Sequence, residues 1–123
     1  MSIGNRQDWL DGLFTAIDAK DTSSFLEYLT DDALFRFGSA PAVRGKEEIG
    51  AAVGGFFSSI KGSTHSLGNV FENESAIACE GEVTYQRMDN SEVTLPFTNV
   101  FEVNGALVSH YKIYIDIAPL FAE

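Results

Sequence analysis

Two histidines, His65 and His110, occur in the chain, and imidazole is the side chain that exchanges a proton near neutral pH without assistance. His65, in the run Thr64-His65-Ser66-Leu67-Gly68, is the first candidate for a general acid or base. Tyr85 offers a phenolic O–H to a substrate oxygen, although a buried tyrosine finds some partner in most cores. Asn99 lies between Phe97 and Phe101 in an otherwise apolar stretch, where either backbone or a ligand has to satisfy its amide. Asp116 is a weaker acid/base candidate, because it immediately precedes Ile117-Ala118-Pro119-Leu120 and a carboxylate there caps the following turn. Arg87-Met88-Asp89 reads as an ion pair and turn at a hairpin end. The single Cys79 cannot form an internal disulfide and reads as a small buried hydrophobe. Two histidines and one cysteine at these separations give no recognisable metal-ligand set. Gly50, Gly54 and Gly55 fall inside a helical pattern instead of between a strand and a helix, so no nucleotide loop is expected. Neither metal nor cofactor is expected.

The elements that must hold these side chains show in the apolar spacing. Trp9, Leu10, Leu13, Phe14 and Ile17 recur three and four apart, which predicts an amphipathic helix from about Asn5 to Ala19. Asp21-Thr22-Ser23 supplies capping oxygens for a second, short helix carrying Phe25, Leu26 and Leu29 and ending near Thr30-Asp31-Asp32. Phe35 and Phe37 alternate with Leu34 and Arg36 in a first strand, closed by the turn Gly38-Ser39-Ala40-Pro41. Glu47 and Glu48 begin a third helix, favoured by its dipole, with Ile49, Val53, Phe56, Phe57 and Ile60 on one face. From Thr64 onward β-branched and aromatic residues dominate, and Asn73-Glu74, Asp89-Asn90 and Asn104-Gly105 mark three hairpin turns. Four antiparallel strands in a meander follow from that punctuation, then one helical turn over Ile117 to Phe121. The order predicts an α+β domain in which helices pack on the concave face of a cone-shaped, curved antiparallel sheet. A cone not filled by its own side chains is an apolar concavity in which small ligands bind.

Composition narrows the classes. A chain of 123 residues is one domain, long enough to bury a core without disulfide or metal staples. A net charge of −10, with only 8 Lys and Arg, argues against nucleic acid as a partner. The first residues lack the layout of a signal peptide and no apolar run approaches a membrane span, so a cytoplasmic location is the expectation. Ten phenylalanines either thicken the core or line a cavity.

Asp31-Asp32-Ala33-Leu34-Phe35 entering the first strand, Val43-Arg44-Gly45-Lys46-Glu47-Glu48-Ile49 entering helix three and Tyr114-Ile115-Asp116 closing the last strand resemble the nuclear transport factor 2-like superfamily. The likeness covers nearly the whole chain and is strongest to its SnoaL-like, ketosteroid isomerase-like group. That group takes in ketosteroid isomerases, polyketide cyclases, limonene-epoxide hydrolases, scytalone dehydratases and non-catalytic members. The resemblance implies a cystatin-like α+β barrel whose strands turn one parity inward. That parity holds Phe35 and Phe37, His65 and Leu67, Cys79, Gly81, Val83, Tyr85 and Arg87, Phe97, Asn99 and Phe101, and Tyr111, Ile113 and Ile115. Leu13 and Phe14 of helix one would close the lid. The opposite parity, with Glu80, Glu82, Thr84, Gln86, Thr98 and Glu102, is the more polar, as an outer face should be. His110 and Lys112 fall on that outer face.

No relative's full catalytic set is present. The carboxylate base of the isomerases falls among Phe35 to Phe37, their helix tyrosine at Leu13 and their neutral acid at Asn99. Arg87-Met88-Asp89 is similar to the arginine–aspartate pair of the epoxide hydrolases, whose tyrosine and asparagine positions are Phe35 and Phe37. The stretch around His65 is similar to a catalytic histidine region of the dehydratases. Two readings result. One is a cofactor-independent isomerase, dehydratase or cyclase acting on a small hydrophobic carbonyl or phenolic compound, with His65 as acid/base and Tyr85 and Asn99 as donors to oxygen. The other is a non-catalytic ligand-binding or dimerisation domain whose cavity its own phenylalanines fill. A cavity below about 100 Å³ favours the second, since ligand sites run to about 300 Å³ or more. The resemblance also implies a homodimer through the outer sheet face, near Val100 and Tyr114.

Overall fold

The computed structural model describes residues 6–121. Helix α1 (Arg6–Asp18) and the short α2 (Thr22–Leu26) lead into strand β1 (Leu29–Phe37), a two-residue strand β2 (Val43–Arg44) and helix α3 (Lys46–Ser58). Strands β3 (Gly62–Glu72), β4 (Ala76–Gln86), β5 (Glu92–Asn104) and β6 (Leu107–Tyr114) follow, and one helical turn, α4 (Ala118–Phe121), comes last. The expected helix start at Asn5 lies outside the described residues. Among those residues no helix is long and apolar enough to cross a membrane.

α1 stops where the chain turns left-handed at Lys20, with φ 57°. Asp21 N–H donates to the Ala16 carbonyl and Lys20 N–H to that of Ile17, the paired bonds of a Schellman end. Lys20 occupies the position glycine usually takes, and its Nζ donates to the carbonyls of Phe57 and Ile60 at the end of α3. The C-terminal ends of α1 and α3 are thereby tied together. Asp21 then caps α2, its carboxylate accepting from Ser24 N–H. α2 ends at Leu26, earlier than the expected end near Thr30-Asp31-Asp32. From Tyr28 onward the backbone belongs to the sheet: Val108 N–H donates to the Tyr28 carbonyl and Leu29 pairs with Val108. Non-local strand pairing overrides the local helical pattern there.

β3 to β6 form the expected antiparallel meander. The sheet order is β2-β1-β6-β5-β4-β3, and β1 runs parallel to β6, so the sheet is mixed and not wholly antiparallel. A meander read along the sequence pairs only consecutive strands, whereas the β1–β6 contact is made by distant ones. β2, an antiparallel partner of β1, also went unpredicted. Burial alternates as the inner parity requires: Ile77, Cys79, Val83 and Tyr85 of β4 and Leu95, Phe97, Asn99 and Phe101 of β5 are all buried.

The sheet must curve strongly. β1 and β4 stand three places apart in it, roughly 14 Å if flat. Yet the Phe56 ring of α3 sits 4.7 Å from that of Phe37 on β1 and 5.5 Å from that of Tyr85 on β4. Gly81 allows the tight fit of β3 on β4 beside a register shift between Leu67 and Val70; a Cβ there would run into the Ser66 carbonyl.

Candidate functional site

The curved sheet, α1 and α3 enclose a cavity of about 50 Å³ with aromatic walls. Of the residues expected at a site, His65, Tyr85, Asn99, Phe14, Phe35, Phe37, Phe97, Tyr111, Ile113 and Ile115 all line it. The others lie elsewhere. Leu13 is fully buried between α1 and the sheet, and Phe101 is sealed edge-on under Trp9 and Tyr111, so both are core and not lining. Arg87 turns away: its Nε donates to the Leu120 carbonyl, Nη2 to that of Pro119 and Nη1 to Ser91 Oγ, which docks α4 onto the β4–β5 hairpin. The Asp89 carboxylate accepts from Ser91 N–H and Oγ within the turn, so the Arg87–Asp89 pairing expected from sequence gives way to these partners. Asp116 is exposed and accepts from Ala118 N–H at 3.0 Å, the capping role.

His65 is held by a residue the sequence reading missed. Its Nδ1 lies 2.6 Å from Asp18 Oδ1, and its own backbone N–H donates to Asp18 Oδ2 at 3.0 Å. Ser63 Oγ donates to the same carboxylate at 2.8 Å. Asp18 is the last residue of α1, one turn beyond Phe14, so the two share a helix face. That spacing was the available signal. The His65 ring packs on Phe14, with centroids 4.7 Å apart, and edge-on to Phe97 at 5.3 Å. Asp18 and His65 also border a surface depression with Asp11, Thr15 and Leu67, which gives the pair a route to solvent.

Electrostatics sort the polar groups. Burial works to raise the Asp18 pKa, but the hydrogen bonds and charge of His65, with Ser63, outweigh it and hold the carboxyl below its ordinary range. Burial, and secondarily the Asp18 charge, push the Tyr85 phenol up, so it remains an O–H donor. Burial also raises Tyr111 well above the usual phenol value, helped by Cys79 and Tyr85. Burial pushes the Cys79 thiol up to about 12, against the backbone N–H of Asn99, so it stays protonated. Two buried polar atoms of the lining have no hydrogen-bond partner: Asn99 Oδ1 and Tyr111 Oη.

The arrangement therefore offers an imidazole oriented through Nδ1 by a carboxylate, a protonated phenol and two unpaired polar atoms in an aromatic enclosure. Among the described residues no His, Cys, Asp and Glu cluster of three or more stands ready for a metal. On the outer face Glu102 pairs with Lys112 at 3.1 Å, and its Oε1 lies 3.9 Å from His110 Nδ1.

Comparison with known proteins agrees with this architecture. The structure is similar to an NTF2-like protein of unknown function from Burkholderia pseudomallei, at 15% identity and TM-score 0.82, covering 93% of this chain and 92% of the other. It is similar to a Mycobacterium tuberculosis LEH-like epoxide hydrolase at 16% identity and TM-score 0.76, over 93% and 84%. It is also similar to TerC, co-crystallised with polyporic acid, at 11% identity and TM-score 0.79, over 93% of each chain. At such identities these likenesses establish the fold alone. No curated protein matches the chain. In sequence, residues 10–111 match the SnoaL-like domain, and the chain belongs to that family.

Proposed function

We propose that this domain is a cofactor-independent acid/base enzyme of the isomerase, dehydratase or cyclase kind, acting on a small apolar carbonyl or phenolic compound. The observation that carries this reading is the Asp18–His65 contact of 2.6 Å in the wall of an aromatic cavity. A carboxylate on Nδ1 fixes the ring and its tautomer and leaves Nε2 to take up or deliver a proton. Asp18 stabilises the imidazolium that forms. The raised pKa of Tyr85 keeps its O–H available to a substrate oxygen. Phe14 and Phe97 pack on the imidazole and cover it from the cavity, while the depression beside Asp18 gives protons a route to solvent.

The cavity volume supports the second reading. At about 50 Å³ it lies below the roughly 300 Å³ of ordinary ligand sites, as expected of a non-catalytic domain filled by its own phenylalanines. Phe56, half-buried between Phe37 and Tyr85, is one of the rings that line it. In the enzyme reading that ring swings aside on binding.

Titration with 2-naphthol separates the two, because its emission reports both binding and loss of its proton. Micromolar binding, about −8 kcal/mol, with a naphtholate signal that His65→Gln removes, supports the enzyme reading. Absence of binding up to the solubility limit, by wild type and by Phe56→Ala alike, refutes it in favour of the filled domain. On an identified substrate His65→Ala lowers the rate roughly 10²-fold or more.

A further inference from the structure

The two unpaired polar atoms of the cavity belong to neighbouring strands. Asn99 of β5 pairs with Ile113 of β6, and Tyr111 lies two residues before Ile113 on the same face. Asn99 and Tyr111 are thus diagonal neighbours, about 7–8 Å apart at Cα and within reach of a common third group. Both side chains are almost wholly enclosed, with residue exposures of 2% and 1%, and both line the cavity. Neither Asn99 Oδ1 nor Tyr111 Oη has a partner. Buried polar atoms are nearly always paired, and one left unpaired is costly. Two on one cavity wall point to a missing third member.

The chemistry of that member follows from the pair. Asn99 Oδ1 is an acceptor only, whereas a phenol both donates and accepts. One hydroxyl group completes both: its O–H donates to Asn99 Oδ1, and its oxygen accepts the proton of Tyr111. A ketone or ether oxygen accepts from Tyr111 but leaves Asn99 Oδ1 unpaired. A carboxylate is worse, since no cationic side chain among the described residues lines the cavity, apart from His65 when protonated, and the surroundings are aromatic.

We propose that Asn99 and Tyr111 form a specificity determinant that selects ligands carrying a hydroxyl group, phenolic or enolic, at their buried end. This rests on the acid/base reading for what happens to the ligand, but not for the selection itself. It assigns Asn99 a role opposite to the expected one: it accepts from the ligand instead of donating to it. The substrate class narrows accordingly, from carbonyl or phenolic compounds to hydroxylated ones.

The test compares binding of phenol, anisole and benzaldehyde by ligand-detected NMR, in wild type and in Phe56→Ala, which widens the cavity entrance. Phenol should bind roughly 10- to 100-fold more tightly than either analogue, the range expected when a buried acceptor is satisfied or left bare. Asn99→Leu, which keeps the branched shape, and Tyr111→Phe should each erase most of that preference. Asp116→Asn, outside the cavity, should leave it in place. Equal binding of the three probes overturns the proposal, as does a preference for benzaldehyde, or binding of none by either protein. A preference lost in His65→Gln but kept in Asn99→Leu also overturns it, because the hydroxyl is then read by the imidazole, and the acid/base reading survives alone.

Discussion

Replacing Asn99 by Leu should make the protein more stable. Asn99 is 2% exposed and lines the aromatic cavity, and its buried Oδ1 has no partner. A buried acceptor in that state costs about 1–3 kcal/mol relative to its hydrated form. Leu has the same branched outline and number of heavy atoms, and the adjoining cavity of about 50 Å³ can take its bulkier methyl groups, so the swap opens no void and adds apolar contact. The backbone of Asn99, paired with Cys79 in the β4–β5 ladder, is unaffected. We take the lower half of the range, about 1–2 kcal/mol, because Leu also loses whatever the amide nitrogen contributes. At about 2.1 cal/mol/K per residue the unfolding entropy of 123 residues is about 0.26 kcal/mol/K, so Tm should rise by about 4–8 °C. Scanning calorimetry at pH 7 measures this directly. An unchanged or lowered Tm would show that Asn99 is already satisfied, by ordered water or by a partner that forms in solution, and the argument for a missing ligand hydroxyl would fail with it.

Two further outcomes follow from the site electrostatics. Asp18 has a folded pKa below the ordinary carboxyl value of 3.8, so its contribution to stability is complete well above that value. It is lost as pH falls below 3.8 and through the depressed folded value, because the unfolded chain takes up the proton first. Urea midpoints measured from pH 6 to pH 2 should therefore fall less steeply for Asp18→Asn than for wild type, and parallel curves would contradict the reading. The Cys79 thiol, fully buried and pushed up to about 12, should not react with a thiol reagent at pH 8 until the protein unfolds, so labelling should track the urea transition. Rapid labelling of the folded protein would place the sulfur in an accessible site.

Strand periodicity made most of the cavity legible. Once Phe97 is turned inward, Asn99 and Phe101 must follow, and the same two-residue step carries Cys79 to Tyr85. What it left open was depth. Parity separates inside from outside but does not distinguish lining from core, so Phe101 and Leu13 fell into the expected set although other rings cover them. Arg87 was assigned inward by parity alone, and at the end of β4 the carbonyls of α4 capture its guanidinium. Asp18 was missed for a different reason. A carboxylate in the last turn of a helix opposes the helix dipole and reads as part of the polar face, and only its spacing of four from Phe14 connects it with the cavity. The parallel β1–β6 pairing lay beyond a local reading altogether, since nothing in either segment names the other.

Several positions where this chain breaks local rules lie in or next to the cavity wall. Asp18 sits at the unfavourable end of a helix dipole, with no basic residue in that turn. Two residues later Lys20 adopts a left-handed conformation that costs a non-glycine residue about 1 kcal/mol or more. Asn99 and Tyr111 bury polar atoms without partners on the facing strands. A domain whose cavity served only as a packed core would gain stability by relieving each of these, with leucine at 99 and phenylalanine at 111 as the simplest changes. Keeping several such costs around one small aromatic enclosure is expected where a site is held ready for something absent from the folded chain itself. On the proposed acid/base reading the narrowness of the cavity describes its resting state. Phe56 occupies space that a ligand ring would take, and displacing one half-buried phenylalanine is a smaller rearrangement than rebuilding the polar wall behind it.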